Sequence, residues 1–158
     1  MKKLLLFLLI ITSFTASAQK NGFRSYRTHA DRYGTENPAL FGQMLARHYN
    51  LNESAIGDLH QKFNRNWGDL ALGLEMGNLS KKQMNTVLST YKNNRGWGNI
   101  ARDLGIKPGS KEFHRMKSEL NQRNTEWSRE WNKKVAPSVE KNNKKAFKNS
   151  ASKSKGKK

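Results

Sequence analysis

The sequence predicts an all-α protein: a small globular domain of five or six helices containing a two-copy helix-hairpin repeat, followed by a disordered basic tail. Three observations carry this. Apolar residues recur at helical spacing between residues 38 and 131. A tryptophan-headed pentapeptide recurs thirty residues further on. No stretch alternates apolar and polar residues as a half-buried strand would, and no hairpin signal stands between strand-like runs.

The chain is expected to begin with a leader, residues 1–18. Lys2 and Lys3 form a positive start, Leu4 to Ile11 is an unbroken apolar run, and Ala16-Ser17-Ala18 supplies a small-x-small cleavage site. The apolar run is far shorter than the roughly 20 residues that span a bilayer. The expected mature protein therefore starts near Gln19, without a transmembrane segment, and is periplasmic or secreted. Residues 19–37 are polar, with Gly22, Gly34 and few aliphatics, and read as an irregular arm carrying Phe23, Tyr26 and Tyr33.

Residues 38–136 hold nearly all the periodic positions. Asn37-Pro38 is an N-cap followed by proline at the first helical position, with Phe41, Met44, Leu45 and His48 at helical spacing. A second helix starts at Asn52 or Ser54 and turns Ile56, Leu59 and Phe63 inward. Ser80 with Gln83 forms a capping box ahead of Met84, Val87, Leu88 and Tyr91. Ser110 caps the last helix, where Phe113, Met116, Leu120, Trp127 and Trp131 make a heptad-like stripe that Pro137 closes.

Trp67-Gly68-Asp69-Leu70-Ala71 recurs as Trp97-Gly98-Asn99-Ile100-Ala101, and the offset also aligns Arg65 with Arg95, Leu74 with Leu104 and Ser80 with Ser110. Trp67 and Ala71, like Trp97 and Ala101, fall on one face of a helix. Aromatic residues at that spacing favour core packing over ligand stacking. A glycine beside each tryptophan costs about 1 kcal/mol of helix propensity against alanine, so Gly68 and Gly98 imply a close approach of another backbone. Each copy is expected to end in a glycine-containing turn, Met76-Gly77-Asn78 or Gly105 to Gly109. The second copy, Asn94-Arg95-Gly96-Trp97-Gly98-Asn99-Ile100-Ala101-Arg102-Asp103-Leu104-Gly105-Ile106-Lys107-Pro108-Gly109, resembles the GWGxIAxxLGxxPG segment of small exported bacterial helical proteins of uncharacterised function. The resemblance covers roughly residues 39–117. It implies a helical fold and export, and it transfers no reaction, cofactor or site residue. The first copy departs from the pattern, with Asn66 for the leading glycine and Leu72-Gly73 inside the helix.

The chain carries 30 Lys and Arg against 12 Asp and Glu, a net +18. Loss of the leader lysines would leave +16, an excess that favours polyanions over neutral small molecules. Residues 137–158 hold eight lysines: Lys141, Lys144, Lys145, Lys148, Lys153, Lys155, Lys157 and Lys158. With few apolar residues to bury, this segment reads as disordered. Its lysines suit diffuse attraction to phosphate or carboxylate arrays, or serve only solubility. Arg65, Arg95 and Arg102 are the anion-binding candidates of the folded part.

Absence of cysteine excludes disulfides and thiolate chemistry. His29, His48, His60 and His114 lack metal-ligand spacing, and no nucleophile elbow or phosphate loop is present. Asp58, Asp69, Glu75 and Asp103 are the carboxylates that would have to converge in space to form a catalytic pair. The leading expectation is a non-enzymatic, cofactor-free exported protein contacting an anionic polymer or envelope surface: nucleic acid, anionic lipid or acidic polysaccharide. The alternative is a nucleic-acid-binding helix-turn-helix over residues 97–117, with its turn at Gly105 and Lys111, His114, Arg115 and Lys117 on the second helix. An enzyme of unknown type is the third reading.

Overall fold

The computed structural model describes residues 22–93 and 96–154, with side chains described as far as Val135. The expected leader, Arg95, Lys155, Lys157 and Lys158 lie outside the described residues. Among the described residues there are seven helices and no strand. They are α1 (residues 22–36), α2 (Pro38–His48), α3 (Glu53–Lys62), α4 (Trp67–Ser80), α5 (Met84–Asn93), α6 (Trp97–Asp103) and α7 (Lys111–Ser154).

Local chemistry fixes four of the helix starts. Asn37 accepts from the Leu40 amide at 3.0 Å, Asn52 from Ala55 at 2.7 Å and Asn66 from Asp69 at 2.6 Å. Ser110 accepts from Phe113 at 3.1 Å. Each satisfies an N–H that the first turn leaves without an intrahelical partner. Asn66 is where the first repeat copy departs from the second. At the aligned position Gly96 sits at φ +149° with no side-chain cap.

The expected irregular arm is helix α1. Phe23, Tyr26, Ala30 and Tyr33 repeat at 3, 4 and 3 residues, and all are buried. The few aliphatics suggested a loop, but aromatic rings supply the apolar stripe instead. The count of five or six helices therefore rises to seven.

Helix α4 is the centre of the first unit, residues up to Asn124. Leu70, Ala71, Leu72, Leu74, Met76 and Leu79 are buried around its whole circumference. A helix apolar on every side must be enclosed, and α3 and α5 both pack against it. Met76-Gly77-Asn78 is consequently not a turn but part of this helix. The Ser80–Gln83 capping box does not form either. Ser80 ends α4 and donates back to the Met76 carbonyl at 2.6 Å, because α5 begins only at Met84. His48 faces outward on α2, while Phe41, Met44 and Leu45 are buried as expected.

The two repeat copies start alike and then diverge. In the second, Gly105 at φ +92° stops the chain just after α6. In the first the aligned residue is Glu75, which stays helical, so α4 has 14 residues where α6 has 7. Both tryptophans are packed among aromatic side chains. Trp67 lies edge-on to Phe41 at 5.7 Å and stacks on His60 at 4.0 Å. Trp97 lies 5.6 Å from Tyr91 and 6.5 Å from Phe63. Ala71 and Ala101 are fully buried. The close approach expected at Gly68 is present, since a Cβ there would stand 2.6 Å from the Arg27 carbonyl oxygen of α1.

The stripe on α7 is buried at Phe113, Met116 and Leu120, and the seven-residue gap in it is filled by Arg123. In the second unit, from Thr125 on, Trp127 and Trp131 are buried and Lys134 pairs with Glu130 at 3.3 Å, one turn apart. Pro137 does not end α7, whose backbone runs on to Ser154.

Gly68→Ala should destabilise the fold by about 1–3 kcal/mol, because the methyl has no room against α1. Gly57→Ala, in an open position of α3, should stabilise it by about 0.5–1 kcal/mol. Urea midpoints of the two variants moving in opposite directions would verify both.

Candidate functional site

Two buried carboxylates organise the polar interior, both on α4. Asp69 is 8 % exposed and lies in its first turn. Its Oδ1 accepts from the Trp97 indole Nε1 at 2.7 Å and pairs with Arg27 Nε at 2.6 Å. Its Oδ2 accepts from the Tyr91 hydroxyl at 2.9 Å. One carboxylate thus holds α1, α5 and α6 to α4. It also joins the two repeat copies, since Trp97 is the counterpart of Trp67 and Asp69 the counterpart of exposed Asn99. Burial, then the hydrogen bond to Asp69, raises the Tyr91 hydroxyl pKa to about 12. Beside it, the Gly68 amide donates to Asp31 of α1 at 2.6 Å.

Glu75 is 0 % exposed. Its Oε2 accepts from the Tyr49 hydroxyl at 2.5 Å and lies 3.5 Å from Arg123 Nε. Its Oε1 is buried without a hydrogen-bond partner among the described residues. Burial pushes the carboxyl pKa above its ordinary value. The Tyr49 hydrogen bond and the Arg123 guanidinium oppose that rise, and Glu119 adds to it. Burial likewise raises the Tyr26 and Tyr49 hydroxyls well above the usual phenol value, and the neighbouring carboxylate reinforces the shift in each.

These placements decide the fate of the sequence candidates. Asp69 and Glu75 are tied to partners that hold helices together, while Asp58 and Asp103 are exposed. His29, His48 and His114 are exposed, and His60 is half-buried against Trp67, where burial lowers its imidazole pKa. Among the described residues no group of three or more His, Asp or Glu is placed to hold a metal ion, and no helix is long and apolar enough to cross a membrane. Arg65 is exposed in the turn after α3, and Arg102 is exposed and donates to Asn99 at 2.8 Å. Lys141, Lys144, Lys145, Lys148 and Lys153 fall on α7 beyond the described side chains. In the helix-turn-helix candidate, Ala101, Leu104 and Ile106 are buried, and Lys111, His114 and Lys117 are exposed. Arg115 instead donates to the Leu79 carbonyl at 2.7 Å, closing the end of α4.

Sequence reasoning passed over Arg27, Tyr49, Tyr91 and Arg123 as polar partners of these carboxylates. Arg123 had a signal, the gap in the α7 stripe. Comparison with known proteins found no matching family model, no matching curated protein and no matching solved structure.

Asp69→Ala should cost about 1–3 kcal/mol, because it strands the buried Trp97 N–H. Asn99→Ala at the aligned position should change stability by less than about 0.5 kcal/mol, because that side chain is exposed. Thermal or urea unfolding of the pair distinguishes the copies.

Glu75 also makes stability depend on pH. Its raised native pKa means that the folded chain keeps a proton which the unfolded chain releases near the ordinary value of 4.5. Its contribution is therefore complete below 4.5 and is lost as pH rises through the native value. Glu75→Gln cannot ionise, so the Tm of the variant relative to the parent should climb from acid pH toward neutrality. A constant difference across that range would show that Glu75 does not titrate in the fold.

Proposed function

We propose that the protein is an exported, non-enzymatic binding protein that makes electrostatic contact with an anionic polymer or envelope surface. The observation that carries this reading is the inward use of its acids. Asp69 and Glu75, two of only 12 acidic residues, are turned into the core, so the outer face is left with few acids against its Lys and Arg. Exposed cations occur on most of the helices, including Arg24, Arg32, Arg47, Lys62, Lys92 and Lys117. Charge spread in this way suits an extended array of phosphates or carboxylates better than a single ion. The leader pattern of residues 1–18 supports export, and the eight tail lysines add a second cationic segment.

Binding to heparin, duplex DNA and phosphatidylglycerol vesicles across a salt series tests the proposal. Affinity should fall steeply with salt, by about 0.9 in log–log slope for each phosphate neutralised on DNA. Removing residues 137–158 should reduce both the affinity and the slope. No binding to any of the three at low salt would overturn the reading. Sequence-dependent DNA affinity that survives truncation would move the function to residues 97–117.

A further inference from the structure

We propose that a groove at the end of α4 is a binding site for a small alkyl carboxylate, its chain on the apolar floor and its carboxylate between Lys81 and Lys82. The groove has a volume of about 400 Å³, within the range of small-ligand sites. Leu51, Leu59, Leu74 and Met84 supply its apolar lining. Lys81 and Lys82 also line it, both exposed and neither ion-paired among the described residues. This charge complementarity selects the ligand class. A neutral ligand would leave both ammonium groups without a role, and a polyanion would have no use for the apolar floor.

The backbone at Lys81 is an independent observation. Lys81 is left-handed at φ +54°, at the position where α4 ends. Glycine is the usual occupant of such a site because it has no Cβ to strain. The hydrogen bonds made there, from the Lys81 amide to Asn78 and from the Lys82 amide to Gly77, are backbone bonds that glycine would make equally well. A lysine at this strained position has a use if its side chain serves the groove that Lys81 lines. The competing explanation is attraction of the lysine to the negative end of the α4 dipole. The two predict opposite effects of Lys81→Gly on stability. The inference does not rest on polyanion binding, which needs no groove.

Calorimetric titration of the full chain with hexanoate, octanoate, decanoate and 1-octanol tests it. Affinity should rise about fourfold for each methylene added until the floor is covered. Octanol should bind at least about tenfold more weakly than octanoate at low salt. Lys81→Gly should weaken octanoate binding while raising Tm, and Met84→Gln should remove the chain-length dependence while leaving heparin affinity unchanged. Chain-length-independent binding, equal affinity for octanol, or a Lys81→Gly variant with lower Tm and unaltered octanoate affinity would overturn the proposal. Binding to phosphatidylglycerol vesicles without binding to any free carboxylate would also overturn it.

Discussion

The fold depends on a single buried carboxylate. Asp69 gathers an indole N–H, a phenol and a guanidinium from three other helices around the first turn of α4. Its own amide is capped by Asn66. A buried carboxylate is costly unless donors surround it, and here the donors fix where α1, α5 and α6 can lie. The apolar surface of α4 drives burial without direction. Asp69 supplies the direction, because its oxygens accept from the Trp97 indole and the Tyr91 hydroxyl and pair with Arg27.

The repeat gains its meaning from this asymmetry. Two copies of one Trp-Gly helix do not form two equivalent halves. One difference, Asp69 against Asn99, makes the first copy the acceptor and the second the donor. Another, Glu75 against Gly105, lets the first copy continue as a long buried helix while the second stops. Glu75 then needs Tyr49 and Arg123 as company, which explains an arginine within an otherwise apolar stripe. Both carboxylates thus act inside the molecule, and the exposed surface is more basic for it.

Much of this was legible in the residues. Asn37, Asn52 and Ser110 announced their helices, because a cap is a local chemical signal. The Phe113–Trp131 stripe was equally readable from spacing, and the expensive glycine at position 68 announced a close backbone approach without saying that the backbone would be helix α1. Helix α1 was missed because its stripe is aromatic rather than aliphatic. The Met76-Gly77-Asn78 turn failed because enclosure of α4 on all sides overrides the propensity of glycine to end a helix. The Ser80 capping box failed because Ser80 is then the last residue of α4 and α5 begins only at Met84. The partners of Asp69 and Glu75 were out of reach, since they come from residues 22 to 48 positions away in the sequence, and nothing local pairs them.

A double-mutant cycle between Asp69→Ala and Trp97→Phe tests the central claim most directly, because it isolates the bond that joins the two copies. The account predicts a coupling of about 1 kcal/mol or more, within the range for residues in direct contact. Strictly additive effects of the two substitutions would contradict it.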